Sequence, residues 1–399
     1  MKKFFGAIAG YIKSTDMILI IFCCAASFFG IVLLFVAVQS PEMYEDNVVI
    51  GKLGEYVLTR QLLVQVIAVV LGIIAAIIIS RVDYEMIASA WWIIASAAVF
   101  LTVLTYFFGI DTGSQNDKAW LIIPGINLSV QPSELLKIAF IISFSLHLSS
   151  VKDRMNTFSA MVPLVIHGMI PIGMVVLQKD FGTVLVFIVM FVVMMYSAGV
   201  KLRYFVIVGI LAAIVAPFIW FNVLEDYHRE RTLIFLHPEN DWEGTGYQQF
   251  QGRLLIGTGK LFGKGISGSG RIALPERQND FIFSVCGEAF GFVGCIAVIA
   301  LLVVIMVRIL RISRLSKDTL GSIMCMGLFA ELTSQILVNL GMNLCLLPVI
   351  GITLPFFSAG GSSNTTLFFG IGLILSVYIH SKPKTHNEMM QRKYYNRKT

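Results

Sequence analysis

Long uncharged runs of apolar residues alternate with short polar segments along nearly the whole chain. A helix needs about 20 such residues to cross roughly 30 Å of hydrocarbon. Nine runs are long enough, the seventh and eighth of them each interrupted by one glutamate: Met17–Val38, Gln61–Ser80, Met86–Ile110, Met155–Gln178, Phe181–Val200, Tyr204–Leu224, Phe281–Val307, Leu320–Pro348 and Ser358–His380. A tenth run, Ile138–Val151, reaches membrane length only if it includes the turn with Glu134 and Lys137. The pattern predicts an all-α polytopic membrane protein of ten transmembrane helices, with residues 1–399 forming a single integral membrane domain.

Composition supports this class. Mean hydropathy is +0.81, 57% of residues are hydrophobic and 14% are charged, whereas soluble domains carry roughly 25% charged residues. An ordinary soluble enzyme, a disordered chain and a disulfide-rich secreted protein are therefore excluded. The six cysteines show no C-x-x-C spacing and the six histidines no ligand spacing, so no metal site is predicted.

The basic residues predict the orientation, because cytoplasmic loops are enriched in Lys and Arg. With ten spans, both termini share one side. Most of the 30 basic residues fall there: Lys2, Lys3, Lys13, Arg81, Lys152, Arg154, Lys201, Arg203, Arg308, Arg311, Arg314, Lys317 and six in the tail at 382–399. Both termini are therefore predicted to be cytoplasmic. The basic tail is expected to contact anionic membrane lipids.

A large polar segment, Glu225–Asp280, is predicted to face outward between helices seven and eight. A loop of this length in a compact bundle is usually functional. Asp241, in a Pro-Glu-Asn-Asp turn, is a candidate catalytic carboxylate. The glycine-rich stretch 257–265 contains Lys260 and Lys264, and its amides and lysines are candidates for binding phosphate. A flexible turn is the alternative for that stretch, and a solvated connector is the alternative for the whole loop.

Several ionisable residues interrupt or border the apolar runs, where charge is costly and usually functional. Glu134 and Lys137, at i and i+3 behind Pro132, are predicted to pair on one helix face. Asp180 lies at an outer helix end. Glu288 and Glu331 each stand in a span, and together such carboxylates are compatible with a transporter's ion path. From these residues alone, a structural pair, a ligand clamp and a transport path remain open.

The stretch from Leu347 to Ser363 contains prolines, glycines and serines between two apolar runs. Non-helical backbone at membrane depth survives only where protein buries it or where it lines a wet cavity. A re-entrant or cavity-lining turn is therefore predicted. Its candidate substrate-binding residues are Ser358, Gly360, Gly361 and Ser362.

Taken together, ordered motifs over residues 60–363 resemble the SEDS family (shape, elongation, division and sporulation), typified by RodA, FtsW and SpoVE. The similarity lies in Arg60-Gln61, Gln131-Pro132-Ser133-Glu134 with Lys137, Asp180-Phe181-Gly182-Thr183, Pro238-x-x-Asp241 with Gly246-Tyr247-Gln248, Leu274-Pro275-Glu276-Arg277 with Asp280-Phe281-Ile282-Phe283, and the 347–363 block. Details of the 263–265 and 347–357 stretches favour the RodA branch.

The resemblance implies ten helices, an outward cavity beneath the large loop, and polymerisation of lipid II, a disaccharide-pentapeptide on undecaprenyl pyrophosphate, into glycan strands. It implies that Asp241 is the essential loop aspartate, and that Glu134, Lys137 and Asp180 are motif residues of the substrate site. A class B penicillin-binding protein transpeptidase is the implied partner. No nucleic acid is expected to bind.

Inverting transfer from a lipid pyrophosphate needs one carboxylate base and cations near the leaving group. Asp241 is the predicted base. The predicted cations are Lys137 with some of Arg60, Arg229, Arg231, Arg253, Lys260 and Lys264. No cofactor is required by the pattern, although a divalent cation is an alternative for charge neutralisation. The remaining alternatives are a lipid II flippase or other polyprenyl-substrate transporter, and a non-catalytic scaffold.

Overall fold

The computed structural model of the protein describes residues 9–39, 49–53, 56–110, 118–123, 128–222, 229, 245–266 and 274–381. Asp241, Arg231 and the basic tail lie outside the described residues. Residues 225–228, 230–244 and 267–273 of the predicted loop 225–280 lie outside them as well, and the position of the loop between the seventh and eighth spans stays a prediction.

The described part of the chain is mainly helical. In chain order its helices are α1 (Met17–Ala37), α2 (Arg60–Arg81), α3 (Tyr84–Ser89), α4 (Trp91–Phe108), α5 (Pro132–Ser150), α6 (Phe158–Leu177), α7 (Phe181–Ala198), α8 (Leu202–Asn222), α9 (Thr245–Thr258), α10 (Ile282–Leu315), α11 (Thr319–Asn343) and α12 (Gly361–His380). Two antiparallel hairpins accompany them, β1 (Val49–Leu53) with β2 (Tyr56–Thr59) and β3 (Leu121–Ile123) with β4 (Leu128–Val130).

Nine helices in the described residues are long and apolar enough to cross a membrane, namely all the long ones except α5 and α9. The sequence prediction is confirmed for these nine. Helix α5 has the predicted start at Pro132, but its membrane crossing, and with it the count of ten and the placement of both termini, stays a prediction. Below, the end of the bundle that holds Pro132 is called the outer end, following the predicted orientation.

Helix α5 is surrounded by the rest of the bundle. Its residues from Leu136 to Ser145 are all buried, on every face of the helix. A helix enclosed by protein has no need to present apolar side chains to lipid, and it can therefore carry polar and charged groups. This position explains why the apolar run at Ile138–Val151 is so short.

Two predicted spans are less regular than their hydropathy indicates. The run Met86–Ile110 is divided at Ala90 into α3 and α4, and Asp83 caps the start of α3 by accepting a hydrogen bond from the Glu85 amide. Helix α10 has non-helical backbone at Gly291, with φ 65° and ψ −159°. Neither break changes the apolar character of the segment, and hydropathy alone therefore does not reveal it.

The helices pack around one large apolar core that includes buried residues from α1, α5, α7, α10, α11 and α12. The most extensive helix pairing joins α2 and α12. There, a Cβ on Gly372 would lie 2.8 Å from the Ala76 Cα, and a Cβ on Gly72 would lie 2.8 Å from the Phe368 ring. Small residues let two membrane helices approach closely where lipid provides no hydrophobic driving force for association.

The segment between α11 and α12 has the buried, non-helical character predicted for it. We call residues 350–360 the outer wedge. Leu354, Phe356, Phe357 and Ser358 in it are each at most 2% exposed. The wedge packs so tightly on α1 that a Cβ on Gly30 would lie 2.3 Å from the Phe356 carbonyl oxygen. The wedge is therefore buried in protein and is not an exposed loop, while its re-entry into the membrane stays a prediction.

Candidate functional site

A three-residue charged cluster lies in the outer half of the bundle. Lys137 Nζ is 2.9 Å from Glu134 Oε1, as the i, i+3 spacing predicts, and 3.1 Å from Glu331 Oε1. All three side chains are less than a tenth exposed. With both carboxylates ionised, the cluster has a formal net charge of −1. A buried lysine between two carboxylates is held by their attraction, and removing it leaves uncompensated buried charge.

The polar network continues from this cluster to the start of α7. Asp180 caps α7 by accepting a hydrogen bond from the Thr183 amide at 2.9 Å, and its other oxygen accepts from Gln131 Nε2 at 3.1 Å. Burial raises the pKa of the Asp180 carboxyl above its usual value, although the Thr183 amide and the nearby Lys137 charge act in the opposite direction. The Gln131 amide in turn donates to Ser362 Oγ at 3.3 Å. The structure thus connects the 131–137 motif, Asp180 and the start of α12.

The outer wedge is held by groups from both sides. Gln65 Nε2 on α2 donates to the Ser358 carbonyl at 3.3 Å, and Gln65 Oε1 accepts from the Gly360 amide at 3.0 Å. On the other side, Ser358 Oγ donates to the Asn279 carbonyl at 2.6 Å. Sequence reasoning missed Gln65, whose signal was a second amide, one helical turn after Gln61, within the apolar run Gln61–Ser80.

Asp280 is a second residue that was missed as a functional candidate. It ends the turn before α10, and its amide donates to the Glu276 carbonyl at 3.1 Å. Its Oδ2 lies 3.9 Å from the position that a Cβ on Gly351 would occupy, beside the outer wedge. The available signal was a carboxylate immediately before a long apolar run, within a motif that was already recognised.

A second charged cluster lies where the large loop meets α10. Arg277 donates to Glu288 Oε2 at 3.3 Å, and Lys264 Nζ lies 3.6 Å from Glu288 Oε1. Arg277 and Glu288 are almost completely buried, whereas the Lys264 side chain is 41% exposed. Glu288 and Glu331 are thus each paired with a cation. The sequence identified the two carboxylates as unusual within apolar spans but did not predict the cations that pair with them.

The phosphate-cradle interpretation of residues 257–265 needs correction. The Gly263, Lys264 and Gly265 amides donate to the carbonyls of Gly259, Glu288 and Ala289, respectively. These amides are already bonded and cannot form the proposed cradle. Gly259 and Gly263 serve close packing instead, because a Cβ on either would lie within 2.2 Å of an α10 carbonyl oxygen. The side chains of Lys260 and Lys264 remain candidates.

The other predicted cations stand on separate elements. Arg60 begins α2, Arg253 lies in α9, Lys260 follows α9, and Arg229 is described as a single residue. Asp241 and Arg231 lie outside the described residues. Among the residues that the structure describes, no three His, Cys, Asp or Glu side chains lie close enough to hold a metal ion. A divalent cation therefore has no ready ligand set in that part of the chain.

Comparison with known proteins gives the family. The FtsW, RodA and SpoVE family model, described as cell cycle protein, matches residues 16–383. The probable peptidoglycan glycosyltransferase FtsW of Trichlorobacter lovleyi is 31% identical over 370 residues, covering 91% of this chain and 92% of the relative. Stage V sporulation protein E of Bacillus subtilis is 30% identical over 92% of this chain and 98% of its own length. The peptidoglycan glycosyltransferase MrdB of Escherichia coli is 32% identical over 79% of this chain and 84% of its own length.

Solved structures show the same fold. A chain from a peptidoglycan synthase complex matches with a TM-score of 0.76 and 24% identity, covering 93% of this chain and 99% of that one. The rod shape determining protein RodA of Thermus thermophilus matches with a TM-score of 0.66 and 24% identity, covering 93% and 98%.

The fold and its polar outer network define a multi-pass protein of the bacterial inner membrane. The match of the family model to residues 16–383 identifies the family within that class. This chain belongs to the FtsW, RodA and SpoVE family, which is the SEDS family that its motifs resemble.

Proposed function

We propose that this chain polymerises lipid II into glycan strands on the outer face of the membrane. The chain is a peptidoglycan glycosyltransferase of cell-wall synthesis, as its relatives over nine-tenths of its length are named. The observation that supports the site is a set of polar contacts at the outer end: Lys137 with Glu134, Asp180 with Gln131, Gln131 with Ser362, and Ser358 of the outer wedge with the Asn279 carbonyl beside Asp280. Such a network in an apolar bundle provides the convergent polar groups that a sugar substrate needs.

The reaction requires a base for the acceptor hydroxyl, since the attacking oxygen must lose its proton as it displaces the lipid pyrophosphate. Asp241 is the base that the family resemblance implies. Asp280 is the candidate that the described structure supports, because it lies at the outer end beside the wedge. Both carboxylates belong to the same large loop, and one base is sufficient for a single inverting displacement.

Lys137 was predicted to neutralise pyrophosphate, and its surroundings limit the conditions under which it can bind an anion. Its ammonium is already shared by Glu134 and Glu331, and its side chain is 1% exposed. With both carboxylates ionised, the cluster has a net charge of −1 and repels an anion. Lys137 therefore binds pyrophosphate only if a carboxylate moves away or takes up a proton. In the structure, Lys137 connects α5 to α11 through its ion pair with Glu331.

The exposed cations are better placed for the leaving group. Lys264 is partly exposed and only loosely paired at 3.6 Å. Its charge can move toward a phosphate with little loss of attraction to Glu288. Arg60, Arg229, Arg231, Arg253 and Lys260 remain candidates for the same role, and cations near a developing pyrophosphate stabilise the transition state.

The base is tested by the variants Asp241→Asn and Asp280→Asn, purified in lipid nanodiscs and assayed for lipid II polymerisation. Loss of one general base lowers the rate by about 10²- to 10⁴-fold. One of the two variants is expected to show that loss while the other keeps a rate near that of the wild type. Asp153→Asn, at the opposite end of the bundle, is the matched control. Two fully active, folded variants would remove both carboxylates from the mechanism.

A lipid II flippase is the competing function. Glu288 and Glu331, the carboxylates that suggested a transport path, are both ion-paired in the structure, which favours a structural role for them. Polymerisation by the purified chain without an ion gradient supports the enzyme. Gradient-dependent movement of lipid II across a vesicle, without glycan product, supports the transporter.

The partner proposed for this chain is a class B penicillin-binding protein transpeptidase. Its relative in the synthase complex assembles with a crosslinking activity. Co-purification of the two full-length proteins, with polymerisation measured alone and together, tests the pairing. A stable complex with altered polymerisation is expected, whereas independent elution and unchanged rates would contradict it.

A further inference from the structure

Two asparagines on α11 converge on one carbonyl group. Asn339 and Asn343 lie one helical turn apart, and both are completely buried. Asn339 Nδ2 donates to the Asp280 carbonyl at 3.0 Å, and Asn343 Nδ2 donates to the same oxygen at 2.8 Å. A carbonyl oxygen has two lone pairs, and here the side-chain amides of both asparagines donate to the Asp280 carbonyl oxygen.

Each asparagine also bonds a second element. Asn339 Nδ2 donates to the Ile352 carbonyl in the outer wedge at 2.7 Å. Asn343 Oδ1 accepts from both the amide and the Oγ of Ser284, in the first turn of α10, at 3.1 and 2.7 Å. The two side chains contact each other as well, with Asn343 Nδ2 3.2 Å from Asn339 Oδ1. Four segments therefore meet at this pair: α11, α10, the outer wedge and the turn that ends at Asp280.

The arrangement fixes the main chain at Asp280. A buried polar network with its groups satisfied specifies one geometry, because any shift leaves an unpaired group in a medium of low dielectric. The Asp280 carbonyl is held from α11, and the Asp280 amide is held by Glu276. With both peptide groups fixed, only the side-chain torsions remain to orient the carboxylate beside Gly351.

We propose that Asn339 and Asn343 are positioning residues for the Asp280 carboxylate. This inference rests on the proposed function, specifically on Asp280 as the base. The asparagines act through the main chain of Asp280 and require no contact with substrate. They also hold Ile352, so the base and the outer wedge keep their relative placement during the reaction.

The test replaces an amide donor by an oxygen of the same size. Asn343→Asp loses the Nδ2 hydrogen bonds to the Asp280 carbonyl and to the carbonyl and Oδ1 of Asn339, and it puts a carboxylate near Asp280. Other ionisable groups on the packed elements include Glu276 and Arg277 in the turn, Glu288 on α10, Glu331 further along α11 with its partner Lys137 on α5, Arg253 on α9, and Asp180 at the start of α7, which packs on Ile350. The substitution leaves all of these residues in the sequence, so the carboxylate added at position 343 is the one new ionisable group.

In lipid II polymerisation, we expect kcat of Asn343→Asp to fall by about 10- to 100-fold, the scale of a displaced catalytic group. Because a neighbouring like charge raises a carboxyl pKa, the acidic limb of the kcat profile should move up by about one pH unit. KM for lipid II should stay within about twofold, since the asparagine acts through the main chain of Asp280 and is not itself assigned a contact with substrate. Gln39→Glu is the matched control, because its buried amide also holds a main-chain carbonyl, that of Val57 at 3.0 Å.

The pH limb separates positioning from a merely structural role. A substitution that only reduces the folded fraction lowers the rate equally at every pH. An unmoved limb in a folded Asn343→Asp enzyme, while Asp280→Asn is inactive, overturns the positioning role and leaves the base assignment intact. Full activity of Asp280→Asn overturns the base assignment itself. If Asn343→Asp does not fold, Asn339→Asp, which keeps the Asn343 bond to Asp280, gives the same readout with a smaller loss.

Discussion

The Ser358 hydroxyl donates a hydrogen bond of 2.6 Å to the Asn279 carbonyl and accepts one of 2.8 Å from the Leu354 amide. A single oxygen therefore closes the turn of the outer wedge and attaches it to the end of the large loop. Ser358 is 2% exposed. At this depth water does not replace a lost partner, so this contact helps to hold the wedge next to Asp280, together with the Asn339 bonds to Asp280 and Ile352.

Ser358→Ala should lower both stability and activity. It leaves the Leu354 amide and the Asn279 carbonyl without this partner, at a cost of about 1–3 kcal/mol in the free energy of unfolding. Thermal unfolding in nanodiscs and lipid II polymerisation measure the two effects. Ser197→Ala is the control, because within the described residues the Ser197 hydroxyl bonds the Val193 carbonyl of its own helix turn and no other element. Equal unfolding temperatures for the two variants would contradict the role assigned to Ser358.

Lys137→Met should be strongly destabilising. It leaves Glu134 and Glu331 buried together without their cation, and removing one partner of a buried pair costs about 3–5 kcal/mol. The double variant Lys137→Met with Glu331→Gln should recover part of that loss, because one of the two carboxylates is then uncharged. The yield of folded protein and its unfolding temperature provide the measurement.

Lys317→Met is the matched control for Lys137. Lys317 is 30% exposed and pairs with Glu85 at 2.6 Å, and exposed pairs contribute about 0–1 kcal/mol. Its substitution should therefore change the unfolding temperature little. A Lys137 variant as stable as the Lys317 variant would show that the cluster is not held by its charges.

Two neighbouring glycines separate backbone strain from close packing. Gly263 and Gly265 have φ of 81° and 82°, so alanine is strained at both positions. A Cβ on Gly263 would lie 2.2 Å from the Ala289 carbonyl oxygen, whereas nothing lies within 4 Å of one on Gly265. Gly263→Ala should be less stable than Gly265→Ala by about 1–3 kcal/mol, the usual cost of overpacking. Equal unfolding temperatures would show that the loop moves freely away from α10.

Much of the architecture follows from local pattern. Membrane solvation requires long apolar helices, and nine of them lie where the uncharged runs predict. Chain geometry likewise fixes the Glu134–Lys137 pair, because residues at i and i+3 share a helix face. The prolines and glycines of 347–363 predict the non-helical outer wedge, since a buried helix does not tolerate them so closely spaced.

The contacts that form the site were decided by tertiary structure. Glu331 joins Lys137 from another helix, Gln65 holds the outer wedge across the bundle, and Asn343 reaches Asp280 from α11. No spacing predicts these meetings, because they depend on which helix faces pack together. The apolar pattern determined that this chain folds in a membrane and where its helices run, since that is a matter of solvent and local geometry. Only packing between segments distant in sequence decided which buried polar groups satisfy one another, and hence where the site lies.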